Sequence, residues 1–324
     1  MKKNIDWPGE WFRAMEDCGE DVSGIFGQIK EGSTQPEWTE LPHYDYDGVG
    51  GLAYLMRAQG LKVDQVPTLK DDKYTFFRKL RGMMAYLPTA AVRKQEWLKI
   101  DPNAKHTSLP VHERISWYLF TKEETDEIKF AARTAGVTVN SYLLYHLDAV
   151  VSAQLMPPSA SRRWSVPVNV RGGVERSAEL IHTSFLAVDI DHNFSIKQLH
   201  EKIIGLMKRG YHWGAWFGIQ GGSMMGQEKM RKYLVDRKQQ GESWTGTFSN
   251  VGVWDIPGSG HWLVCPNVPY MYPIGAACMT THGRMGITIQ LHHSLGNDAH
   301  TRQSILNSWI KSSLKDKSFS MQEA

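Results

Sequence analysis

Residues 42–51 read Pro42-His43-Tyr44-Asp45-Tyr46-Asp47-Gly48-Val49-Gly50-Gly51. The stretch before Pro42 is extended. The stretch after it, LAYLMRAQG, places Leu52, Leu55 and Met56 at helical spacing and stops at Gly60. His43 therefore sits where a strand gives way to a helix, on a tight acidic turn whose glycines permit positive φ. An imidazole held there is rigid and open to a cleft, as a general base must be.

Upstream, residues 1–41 contain two short periodic stretches split by the turn-rich EGSTQPEW, which predicts a helix followed by an extended segment. Downstream, a basic helical stretch, KYTFFRKLRGMMAYL, precedes DPNAKHTSLP (101–110), a linker between two lobes, 1–100 and 111–324. From Val111 onward strands alternate with helices. RISWYLF, SRRWSVPVNVR, FLAVDID, TGTFSNVGVW and RMGITIQLHH are predicted strands, and SIKQLHEKIIGLMKRG and DAHTRQSILNSWIKSSL are predicted helices. A capping box at Thr121 and Glu124 opens TKEETDEIKFAARTAG, Gly136 stops it, and a second helix starts near Thr138. This order argues for an α/β or α+β layered sandwich.

The chain has 324 residues, 41% apolar and 22% charged, which fits a folded globular protein. A formal charge of +3 is too small to attract nucleic acid or an anionic membrane in bulk, so any basic site must be local. Cys18, Cys265 and Cys278 form no CxxC pair and are odd in number, against a disulfide framework or a zinc ribbon and in favour of a cytoplasmic setting. The start MKKNIDWPGEWF has no apolar signal region, and no apolar run is long enough to span a membrane. Twelve Trp and 14 Met leave room for an apolar pocket, which the aromatic and Met-rich YHWGAWFGIQGGSMM could line, though packing is its simpler role. Arg78, Lys79 and Arg81 form a basic helix face.

HYDYDGVGG resembles the HHxxxDG motif of the acyl-CoA-dependent acyltransferase superfamily, which includes chloramphenicol acetyltransferase, condensation domains, wax ester synthases and alcohol acyltransferases. Pro42 replaces the first histidine, and His43 is the second. Three further segments resemble the superfamily in the same order: FTKEETDEIKFAARTAGVTVNSYLL, VPVNVRGG and FSNVG. The resemblance implies a chloramphenicol-acetyltransferase-like layered sandwich in which His43 is the general base and Asp47 is an architectural carboxylate paired with Arg171. It makes Gly48 the residue that frees the turn, and Ser249 or Asn250 the contact for an oxyanion or substrate. It also implies an acyl-CoA or phosphopantetheinyl thioester as cosubstrate, with no tightly bound cofactor. The acyl acceptor would be a small molecule bearing a hydroxyl or amine, and a carrier protein is a candidate partner.

MGITIQLHHSLGNDAH looks like a worn second copy of the motif, which makes His293 a rival base. In it Asn297 stands where Asp belongs and Asp298 where Gly belongs. Adjacent His292 and His293 would point to opposite faces of a strand, so they are not expected to share a metal. Only 42 residues precede His43, so the N-terminal lobe is short for a two-lobed member and the C-terminal lobe is full. Completion of the cleft by another copy in a homo-oligomer is one expectation, and a remnant lobe is the other. Two functional alternatives follow from the same residues: an amide-forming condensation enzyme of a biosynthetic assembly line, or a noncatalytic docking module for a carrier protein.

Overall fold

A computed structural model describes residues 7–63, 66, 75–90, 94–101, 104, 109–171, 181–296 and 298–315. Much of the predicted linker and Asn297 of the second motif lie outside them. The N-terminal part begins with helix α1 (Trp7–Asp17), strands β1 (Ser23–Ile29) and β2 (Glu37–Pro42), and helices α2 (Gly48–Ala58) and α3 (Phe76–Tyr86). EGSTQPEW holds the β1–β2 turn. A short helix α4 (Val111–Arg114) leads into β3 (Ile115–Leu119), α5 (Lys122–Thr134) and α6 (Val139–Leu155). Thr121 and Glu124 cap α5 reciprocally, and the Thr138 side chain accepts from the Ser141 N–H at the start of α6. Next come β4 (Arg162–Asn169), β5 (Thr183–Ile190), α7 (Ile196–Lys208), α8 (Tyr211–Ser223) and α9 (Gln227–Gln239). Strands β6 (Gly246–Val253), β7 (His261–Cys265), β8 (Ile274–Thr281) and β9 (Arg284–Leu291) precede the last helix, α10 (Ala299–Lys315).

The strands form two sheets. The larger is mixed, with order β3-β9-β8-β6-β4-β5 and parallel pairing at β4–β6 and β6–β8. The smaller, β2-β1-β7, is antiparallel and joins strands from both sides of the linker. The main core, between the larger sheet and helices α5 to α8 and α10, holds Trp164, Trp213, Trp216 and Trp309, each at most 1% exposed. A second core packs Val49, Leu52, Ala53 and Met56 of α2 on Phe26 of β1 and Trp262 and Val264 of β7. The motif helix is thereby fixed to the small sheet.

Packing explains the glycines of the motif and of α8. None of Gly48, Gly50 and Gly51 has a positive φ, so the expected left-handed turn is absent. A Cβ on Gly48 would make ordinary contacts of 3.7 Å with Val251 and 3.8 Å with Val264, which corrects the expectation that a side chain there obstructs the turn. The steric demand falls on Gly51, where a Cβ would lie 2.5 Å from the Phe26 ring, because α2 rests directly on β1. The YHWGAWFGIQGGSMM stretch is α8, and its Gly214, Gly218 and Gly222 lie one turn apart. A Cβ at these positions would meet the Gly82 carbonyl oxygen of α3 at 2.2 Å, the Tyr86 ring at 2.7 Å and the Trp11 ring at 2.3 Å. The stripe lets α3 and α1 approach closely and directs Tyr86 and Trp11 toward the site described next.

Candidate active site

Pro42 pairs with Ser23 at the last rung between β1 and β2, and the His43 N–H donates to the Val22 carbonyl at 3.0 Å. The N–H groups of Asp45 and Tyr46 both donate to the Pro42 carbonyl at 3.1 Å. The chain then enters α2, whose N-cap is Asp47. A strand end, a closed turn and a helix start thus hold the imidazole from three directions. Its Nδ1 lies 2.6 Å from the Tyr46 carbonyl oxygen. A carbonyl only accepts, so Nδ1 carries the proton and the Nε2 lone pair is free. The Phe12 ring of α1 packs against the imidazole, with centroids 4.2 Å apart. Burial lowers the pKa of His43, opposed by the Tyr46 carbonyl and the Asp47 charge, and the net direction is down from 6.5. The ring is therefore neutral at physiological pH.

Asp47 is 1% exposed, and its carboxylate is fully engaged. Oδ1 accepts from the Gly50 N–H and from the Arg171 guanidinium, each at 2.7 Å. Oδ2 accepts from the His182 N–H at 2.9 Å and the Thr183 hydroxyl at 2.7 Å. Burial pushes the carboxyl up, but Arg171 and the backbone donors outweigh it and hold the pKa below the ordinary value. Asp47 thus caps α2 and ties the motif to the chain on either side of the β4–β5 connection.

His43 lies in the wall of a cavity of about 290 Å³. The smaller sheet contributes Phe26, Val264 and Cys265, β6 contributes Thr247, Ser249, Asn250 and Val251, and β4 and β5 contribute Ser165, Asn169 and Thr183. Trp11, Phe12, Tyr86, Phe185, Trp244 and Tyr272 line the rest. Ser249 and Asn250 therefore reach the cavity that holds His43, and the Asn250 side-chain oxygen accepts from the Gly252 N–H at 3.0 Å. Thr247, Ser165 and Asn169 were not singled out from the sequence, although the period of two along each strand, running back from Ser249 and Arg171, carries that signal. Trp11 and Phe12 had none: Trp11 Nε1 donates to the Ile219 carbonyl, 208 residues away.

The second motif lies apart. Neither His292 nor His293 is among the described residues of that cavity wall. His292 is 4% exposed, its Nδ1 lies 2.8 Å from the Ser294 hydroxyl, and its ring lies tilted by 38° with its centroid 3.7 Å from that of His293, so the two do not point to opposite faces: the strand ends at Leu291 and both belong to the turn that follows. Its Nε2 is 3.6 Å from Glu20, whose carboxylate also accepts from Lys238 at 2.6 Å and the Tyr270 N–H at 2.9 Å. Burial pushes Glu20 up, yet these partners win and hold it at about 2. A carboxyl depressed in the folded state stabilises above its ordinary pKa of 4.5 and loses that contribution as pH falls from there toward 2. Glu20→Gln is therefore expected to lower stability by about 3 kcal/mol at neutral pH, with the gap to the native chain closing below pH 4.5 in urea titrations. A gap independent of pH would contradict this.

No protein-family model matches the chain, and no curated protein matches it in sequence. Solved structures do. Trichothecene 15-O-acetyltransferase from Fusarium sporotrichioides matches with a TM-score of 0.57 at 11% identity, over 97% of this chain and 76% of that one. The cyclization-docking bidomain of a nonribosomal peptide synthetase from Sorangium cellulosum gives 0.54 at 12% identity, over 85% and 59%. The condensation domain of the monacolin K polyketide synthase gives 0.50 at 12%, over 87% and 70%. At these identities the likeness is one of fold, and the chain spans between 59% and 76% of the length of these three proteins. The chain has the fold shared by condensation domains and chloramphenicol-acetyltransferase-like acyltransferases.

Proposed function

We propose that this protein transfers an acyl group from a thioester to a hydroxyl or amine acceptor, with His43 as general base. The observation that carries the proposal is the imidazole in the cavity wall, its Nδ1 proton committed to the Tyr46 carbonyl. Nε2 takes the proton of the acceptor O–H or N–H as the oxygen or nitrogen attacks the thioester carbonyl. The tetrahedral oxyanion then collapses, the C–S bond breaks, and the imidazolium returns its proton to the departing thiolate. Ser249 and Asn250 are the proposed contacts for the oxyanion or substrate, where one preorganised donor is worth about 3 kcal/mol. The donor would be acyl-CoA or an acylated carrier protein. The aromatic lining favours an apolar acyl chain or acceptor.

Cysteine chemistry is not required. Cys265 borders the cavity, but burial pushes its thiol up to about 12 against the bond it makes with Thr288, so it stays protonated at neutral pH. Cys278 is pushed to about 12 by burial alone. Cys265→Ala is expected to keep turnover within about threefold of the native chain, and an acyl group trapped on Cys265 would contradict direct transfer.

The test of the proposal is release of free thiol from a panel of acyl-CoA donors with small alcohols and amines. Release by the native chain and its loss in His43→Ala support acyl transfer. Binding of donor without turnover by the native chain would instead identify a docking module.

A further inference from the structure

Helix α3 buries its Gly82 side against α8 and turns a row of large apolar side chains outward. Phe76 is 71% exposed, Phe77 80%, Leu80 52% and Met84 72%, and Leu87, just past the helix end, is 60% exposed. At 3.6 residues per turn these positions share one stripe about 100° wide, opposite Gly82. Isolated apolar residues on a surface need no explanation, but five large ones in a continuous helical stripe do. Charge borders the stripe. Arg81 is exposed about 40° beyond Phe77 on one edge, and Lys79 flanks the other, its ammonium 3.7 Å over the Phe217 ring of α8. In sequence, residues 71–96 carry six cations and three acids, Asp71, Asp72 and Glu96, and the acids lie outside α3, whose own charged residues are Arg78, Lys79 and Arg81.

We propose that the outer face of α3 is a docking surface for an anionic lipid bilayer, with the helix lying in the interface and Phe76, Phe77, Leu80, Met84 and Leu87 entering the acyl boundary. The cations fit the anionic headgroups, each contributing to attraction near the surface. A second copy fits poorly, because a twofold contact through this face would set Arg81 against its own counterpart. A protein partner would need a groove cut to this convex ridge, whereas a bilayer accepts a ridge of any outline. No described helix is long and apolar enough to cross a membrane, and the contact proposed for α3 is a peripheral one. Tyr86, the last residue of α3, lines the His43 cavity, which puts the bilayer about one helix diameter, roughly 10 Å, from the cavity wall. The inference stands independently of the acyl-transfer chemistry.

The test is co-sedimentation of the full chain with vesicles of phosphatidylcholine alone and of phosphatidylcholine with phosphatidylserine. Binding is expected to the anionic vesicles, falling as salt rises. Phe76→Ser/Phe77→Ser, which changes only exposed side chains, is expected to weaken partitioning more than about tenfold at an unchanged melting temperature. Arg81→Gln is expected to weaken it about fivefold. Three results would overturn the proposal: no binding to anionic vesicles at low salt, binding undiminished in the double variant, or an acidic protein or a second copy captured through α3 while vesicles are ignored.

Discussion

Asp47→Asn is expected to destabilise the protein by about 3–5 kcal/mol, the cost of breaking a buried ion pair by removing one partner. The Arg171 side chain is 5% exposed and Asp47 1%, so neither water nor salt replaces the lost charge. The substitution also disturbs the α2 cap and the bonds from His182 and Thr183, all made by the same carboxylate. Against a total stability of about 5–15 kcal/mol this is a large fraction, visible as a lower urea midpoint. Asp47→Asn/Arg171→Met is expected to recover part of the loss, since it removes the stranded guanidinium as well. The exposed pair Arg13–Asp45, two residues earlier in the same loop, supplies the contrast: Asp45→Asn is expected to cost less than about 1 kcal/mol. An Asp47→Asn chain as stable as the native one would show that the carboxylate does not hold the loop.

His43→Ala is expected to lower kcat/KM for acyl transfer by about 10² to 10⁴, the usual contribution of a positioned general base, while leaving the fold intact. The ring is half-buried and its Nδ1 hydrogen bond is to the local Tyr46 carbonyl, so the loss falls on chemistry more than on stability. Because burial lowers the pKa of His43, the acidic limb of the rate profile is expected below pH 6.5, with full activity at neutral pH. His293→Ala is expected to retain turnover, since His293 lies outside the described wall of the cavity. The reverse pattern, with His293 essential and His43 dispensable, would move the site to the second motif.

What the sequence disclosed followed from local physics. The Thr121 capping box, the helix start near Thr138 and the strand-like runs that become β3, β4, β5, β6 and β9 are decided by neighbours within a turn or a strand, and they locate most of the larger sheet. β8, IGAACMTT, escaped because its small and apolar residues show no alternation with polar ones, unlike the Ile-Thr-Ile-Gln-Leu of the equally buried β9. β7 escaped for a related reason: four of its five residues are buried between the sheets. Of the β1–β2 hairpin only β2 matches the extended segment expected after EGSTQPEW; β1 follows α1 within the stretch expected to be helical, because its pairing with β2, Ser23 opposite Pro42, is not encoded locally. At the site, the strand-to-helix placement of His43 was legible from Pro42 and the helical period after Gly51. The glycines were misjudged because their cause is the approach of α2 to Phe26, a contact between distant segments that no local pattern encodes. The same holds for Phe12, which reaches His43 only through the packing of α1 on α8 and α9.

Nitrogen-15 NMR of the His43 ring, followed from pH 5 to 8, measures the protonation on which acyl transfer would depend. The expected result is a neutral ring at pH 7 with the proton on Nδ1 and a pKa below 6.5. A ring protonated at neutral pH, or one carrying its proton on Nε2, would leave no lone pair at Nε2 to take a nucleophile's proton and would contradict His43 as the base.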